Sequence, residues 1–210
     1  MKFWMLLLIV AGLMTMPRCR FPYYQSSDAV ERAQKHRTIA VLPPEIYYHT
    51  IRKMEEEELH NLTEIIAAQY QKEIHGWIAT RKKEGRRIVS LQDLECTNSL
   101  LYRAGYWDGR QMTAEDICRI LEVDGFISSE FRIDIVIPRT AAIILNIFGK
   151  GEGLATGFLN ARLELRDQAN GDLIWQSEYD ETLFGTTTHD ARVERFLRRS
   201  TATMPYFSKR

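Results

Sequence analysis

Three stretches in the second half of the chain alternate apolar and polar residues with a period of two, the pattern of a sheet with one buried face. In the first, Phe126 to Ile137, the side chains of Ile127, Phe131, Ile133, Ile135 and Ile137 share one face and Glu130, Arg132 and Asp134 share the other. Leu159, Ala161, Leu163 and Leu165 alternate in the second, and Leu173, Trp175 and Tyr179 in the third. Asn170-Gly171 lies between the last two. Both residues tolerate left-handed backbone angles, so the pair predicts a hairpin turn. Trp175 belongs to the core on this reading, as a large ring on the inward side of a strand.

The first half has a different rhythm. Thr38-Ile39-Ala40-Val41-Leu42 is a short apolar run stopped by Pro43-Pro44, which reads as a buried strand with a sharp exit. From about Glu55 to Lys83, Leu59, Leu62, Ile66, Tyr70, Ile74 and Trp77 recur at three- and four-residue spacing and predict a long amphipathic helix. Acidic residues open that helix and Arg81, Lys82 and Lys83 close it, in agreement with the helix dipole. Arg87 to Ser90 suggests a second short strand, and Asp93 to Ala104 another helix. Thr113 and Asp116 cap a helix that runs to Leu121. A last helix over Asp190 to Ala202 presents Val193, Phe196 and Leu197. The predicted fold class is α/β: a single domain whose mixed sheet, parallel early and antiparallel late, is flanked by helices.

The N-terminus reads as an address. Lys2 precedes an apolar run from Phe3 to Met16, about the length of a signal-peptide core and short of the ~20 residues of a membrane span. A buried helix and an uncleaved anchor are the alternatives. Cys19 follows at once, where a bacterial export signal would leave a cysteine for lipid attachment, although Arg18 replaces the small residue usual before it. Residues 1–18 are therefore read as a signal peptide, 19–36 as a polar tether and 37–207 as the folded domain. Loss of Lys2 and Arg18 leaves 26 basic against 28 acidic residues, a charge of −2. Neither that balance nor the neutral full chain suits nucleic-acid binding or electrostatic docking on a membrane.

Candidate chemistry is sparse. His36, His49, His60, His75 and His189 show no i,i+3 or i,i+4 spacing and none adjoins a cysteine, so no metal site is expected. Cys96 and Cys118 fit either buried thiols or, after export, a disulfide. His189-Asp190 has no identifiable serine partner, and the glycines of Gly149-Lys-Gly-Glu-Gly153 match neither phosphate-binding fingerprint. No catalytic residue and no cofactor is assigned. Thr140 to Phe158 stands out, because a connection between strands should be polar and this one carries Ile143, Ile144, Leu145, Ile147 and Phe148. It is either a packed segment or an apolar patch that meets a partner or a membrane.

In combination these motifs resemble the bacterial envelope-lipoprotein group that includes CsgG, LpoB, PelC and the N-terminal domain of TolB. The opening strand Thr38 to Pro44 carries the resemblance, with the helix-to-strand passage Ile117 to Ile127 around Val123-Asp124-Gly125. So do the hairpin Leu163 to Trp175 and the terminal Met204-Pro205-Tyr206. The resemblance implies a TolB N-terminal-domain-like fold held at the periplasmic side of an envelope, with the outer membrane favoured. It also implies an assembly or accessory factor that binds envelope proteins, often as a homo-oligomer, and is not a catalyst. Two other readings remain: a ring-forming subunit of a secretion or polysaccharide export apparatus, and an exported hydrolase with an unrecognised site.

Overall fold

The computed structural model describes residues 22–50, 54–83, 89–108, 111–135, 157–183 and 189–207. The expected signal peptide, Cys19 and the stretch Ile143 to Phe148 lie outside the described residues.

Among the described residues, seven strands form one sheet: β1 (Tyr23–Gln25), β2 (Thr38–Val41), β3 (Glu45–Thr50), β4 (Ser90–Leu91), β5 (Gly125–Ile135), β6 (Gly157–Asp167) and β7 (Leu173–Leu183). The helices described with them are α1 (Ala29–Lys35), α2 (Glu56–Lys83), α3 (Leu94–Arg103), α4 (Ala114–Leu121) and α5 (His189–Ser200), the last followed by a 3-10 turn over Thr201–Thr203. The strand order is β1-β7-β6-β5-β2-β4, with β3 also on β5. β2 and β3 run parallel to β5, while β5, β6, β7 and β1 are antiparallel neighbours. The mixed sheet expected from the sequence is therefore present, parallel in its early strands and antiparallel in its late ones.

Two expectations need correction. Residues 19–36 were read as a tether, yet from Tyr23 onward they are part of the domain. Tyr23 pairs with Ser177 and Gln25 with Trp175, and the fully or nearly buried Ala29 and Ala33 seat α1 in the core. Two alanines four apart are a narrow apolar stripe, easily hidden among Ser, Gln and charged residues. Pro43-Pro44 does not turn the chain away either. Val41 pairs with Ile127 and Glu45 with Glu130, so β2 and β3 follow the same partner strand with one extra residue between them. Proline has no N–H to give a ladder, and a bulge is where a strand can hold it.

The helix ends are set locally. Asp93 accepts the N–H groups of Glu95 and Cys96 at the start of α3, and Thr113 with Asp116 forms a capping box at α4. Asn170 and Gly171 both adopt left-handed angles, φ 67° and 65°, as the hairpin signal requires. A Cβ on Gly171 would also come within 2.9 Å of Ala114 Cβ.

The main core lies between one sheet face and helices α2 and α5. Ile66, Tyr70, Ile74 and Ile78, four residues apart along α2, meet Phe131, Leu163, Leu165, Trp175 and Tyr179, with Val193, Phe196 and Leu197 from α5. Full burial of each such side chain contributes about 1.5–3 kcal/mol before entropy is counted. Phe131 stacks on Tyr70 at 4.1 Å and meets Phe196 edge-on at 5.5 Å. Trp175 is fully buried, as expected, and its indole N–H donates to Thr203 at 3.2 Å. A smaller core under α3 and α4 gathers Leu101, Ile117, Cys118 and Leu121 on Ala40, Leu42 and Phe126 of the opposite sheet face.

Candidate interaction face

Helices α3 and α4 cover that second face at β2, the start of β5 and the neighbouring part of β6. Farther along, the outward side chains of β5, β6 and β7 meet water. Strand register sorts them into four rows. Tyr24, Gln176, Glu164 and Ser128 make the first, and Glu178, Arg162, Glu130 and Glu45 the second. Asp180, Asn160, Arg132 and Tyr47 make the third, and Phe158, Asp134 and His49 the fourth.

Within and between rows the charges interlock. Arg162 stands between two carboxylates, 3.7 Å from Glu130 and 3.4 Å from Glu178. Arg132 donates to Glu130 at 2.6 Å and lies 5.7 Å over the Tyr47 ring. Asn160 donates to Asp180 at 2.6 Å, and Arg166 to Glu164 at 2.9 Å. Exposed pairs of this kind contribute about 0–1 kcal/mol each, so an incoming partner can re-pair them at little cost. Six carboxylates, on Glu45, Glu130, Asp134, Glu164, Glu178 and Asp180, face three guanidiniums, on Arg132, Arg162 and Arg166. The face is therefore acidic in balance.

Aromatic rings stand among these charges. Tyr24 is 49% exposed, Tyr47 54% and Phe158 55%. Tyr106 and Trp107 meet edge-on after α3, with Trp107 exposed. Tyr106 packs against the smaller core, on the same side of the sheet, and burial, with the Glu45 carboxylate adding, holds its phenol above the usual pKa. Beside β3, an open groove of about 500 Å³ is lined by Ile46, Tyr48, Leu59, His60 and Arg132. Large exposed aromatics interspersed with arginine are the composition of protein-binding surfaces.

The buried titratable groups have a structural task. His36 lies in the core with Nδ1 against the Tyr206 hydroxyl and Nε2 3.4 Å from the Asp167 carboxylate. Arg32 of α1 donates to Asp167, to Asp172 at 2.9 Å and to the Ala169 carbonyl at 2.8 Å. An Nε2–H tautomer suits this setting: it points a donor at the carboxylate and leaves Nδ1 to accept from Tyr206. Burial keeps the imidazole pKa below its usual value although Asp167 opposes the shift. The network joins α1, the β6–β7 hairpin and the C-terminus. Nearby Cys118 is buried and its thiol is pushed up to about 12, chiefly by desolvation, so it stays protonated and unreactive.

Cys96 and Cys118 are both free thiols, one exposed and one buried. Among the described residues no cluster of three or more His, Cys, Asp or Glu could hold a metal ion, and no helix is long and apolar enough to cross a membrane. Glu130, Arg132 and Asp134, read from the sequence as the polar side of a strand, are part of the open face. His36 and its partners escaped that reading because they come from three separate parts of the chain.

No family model and no curated protein sequence matches this chain. Several solved structures do. Lipoprotein GNA1162 from Neisseria meningitidis is 12% identical with a TM-score of 0.42, covering 76% of this chain and 92% of that one. The PelC dodecamer from Paraburkholderia phytofirmans is 11% identical, TM-score 0.39, covering 82% and 89%. The LpoB C-terminal domain from Salmonella enterica is 12% identical, TM-score 0.34, covering 74% and 93%. They include members of the lipoprotein group that the sequence resembles.

Proposed function

We propose that this chain is a non-enzymatic, exported bacterial envelope protein that acts as an assembly or accessory factor by binding other envelope proteins. A lipid on Cys19 anchors it to a membrane, the outer membrane being favoured, with the domain facing the periplasm. The open half of the sheet carries this reading: four rows of weakly paired charges with Tyr24, Tyr47 and Phe158 exposed among them. The acidic balance selects a partner surface with basic residues. Ile143, Ile144, Leu145, Ile147 and Phe148 supply a second, apolar contact, on the strength of their sequence.

Two measurements test this. The intact mass of the N-terminal peptide from membrane-purified protein should show a diacyl or triacyl Cys19; an unmodified Met1 or a lipid-free cleaved end would remove the anchor. A photo-crosslinking residue at Tyr47 should capture an envelope protein, and Asp180→Lys, which reverses an exposed charge of the acidic face, should abolish that product while leaving the melting temperature within a few degrees. A product that survives Asp180→Lys unchanged would count against the open face. The ring-forming reading separates by mass, since it requires a defined oligomer in light scattering.

A further inference from the structure

The sheet takes hold of the chain only a few residues after the anchor. The Pro22 carbonyl accepts the Glu178 N–H at 3.2 Å, and β1 begins at the next residue. Cys19 and Pro22 are three residues apart, which a fully extended chain spans in at most about 11 Å. A free tether over 19–36 would reach about 60 Å. The domain is thus bound close to whatever surface holds Cys19.

That short reach selects an orientation. Followed backward from Gln25 to Pro22, the chain runs toward the Leu183 end of β7, since β1 and β7 are antiparallel. β7 extends five residues past Glu178, about 17 Å. If the strands stood along the membrane normal, the end of β7 would reach the bilayer while Cys19 was still short of it. The helix-covered face adds a layer about 10–12 Å thick, which would use up the whole reach even if the chain from Pro22 ran straight across it. The open face carries six carboxylates that favour water over an anionic headgroup layer. The edge remains. Among the described residues β1 is the outermost strand on its side of the sheet, and its two exposed tyrosines lie one on each face, Tyr23 opposite the buried Ser177 and Tyr24 opposite Gln176. Tyrosine favours the headgroup level, with ring and hydroxyl in different surroundings.

We propose that the β1 edge rests on a lipid surface, with Tyr23 and Tyr24 at headgroup level and the β4 edge pointing away. This rests on the Cys19 anchor proposed above. It places the open face upright on the membrane, where a partner moving in the same membrane can reach it.

The test uses the full lipidated chain recovered from membranes and reconstituted in phosphatidylethanolamine–phosphatidylglycerol vesicles with a headgroup-nitroxide lipid. A fluorophore is placed by Asp180→Cys, beside the β1 edge, or by Tyr102→Cys on α3, each in a Cys96→Ser background; Gln176→Cys replaces the first if it does not fold. The inference expects at least twofold quenching at position 180 or 176 and almost none at 102. Equal quenching at both ends, or stronger quenching at 102, overturns the orientation while a lipid found on Cys19 leaves the anchor standing. A chain without that lipid and absent from membranes overturns both.

Discussion

The His36 imidazole lies 3.4 Å from the Asp167 carboxylate, joining the residue just before Arg37 and β2 to the last residue of β6. Asp124, Arg32 and the Tyr206 hydroxyl complete the polar groups around this ring. Burial lowers the folded-state pKa of His36 from 6.5, so the unfolded chain takes up this proton first as pH falls. Stability from this site is full above about pH 6.5 and declines as the pH drops below it. Thermal melts between pH 8 and 5.5 should show a falling melting temperature in the acidic part of that range, and a smaller fall in His36→Gln. Equal slopes in the two chains would assign the effect to other groups.

Gly125 occupies a position with no room for a side chain. A Cβ there would come within 2.7 Å of the Arg166 carbonyl and 2.9 Å of His36 Cε1. The neighbouring Asp124 fixes the backbone from the other side by accepting the N–H groups of Arg37 and Thr38 at 2.7 and 2.9 Å. Gly125→Ala should destabilise the domain by about 1–3 kcal/mol, read from urea unfolding.

The two described cysteines should differ in reactivity. Cys96 is exposed, whereas Cys118 is buried with its thiol held up at about 12. A maleimide reagent at neutral pH should modify Cys96 in the folded chain and reach Cys118 only after denaturation. Fast labelling of Cys118 in the folded chain would contradict the small core beneath α4.

Arg162 should show the opposite of a core residue. Its ion pairs at 3.7 and 3.4 Å are partly in water, so Arg162→Ala should cost less than about 1 kcal/mol. Phe131→Ala, which removes the ring between Tyr70 and Phe196, should cost about 3–5 kcal/mol. Denaturant unfolding of both variants checks the contrast.

Local rules explain which parts of this fold the sequence made legible. Thr113 and Asp116 announced α4 because a capping box needs only four residues. Asn170-Gly171 announced its turn because the backbone angles are demanded there. The alternation in β5, β6 and β7 was readable because one face is dry and much of the other wet. What stayed hidden depended on distant partners. β1 has three residues and no pattern of its own, and α1 is recognisable only through the two alanines it buries. β3 lay behind two prolines that local reasoning treats as a stop. The open face was half visible: Glu130, Arg132 and Asp134 could be placed on a polar side, but Arg162, Glu178 and Tyr47 join them only through register.

The pairing of β1 with β7 also has a consequence in time. Tyr23 and Ser177 are neighbours in the sheet although roughly 150 residues separate them. At a synthesis rate of about 5–20 residues per second, the first emerges roughly 8–30 s before the second. For that interval Tyr23 and Tyr24 lack the strand they pair with. The sheet receives its first strand last, and the leading end of the chain is what a chaperone meets while the rest is still being made.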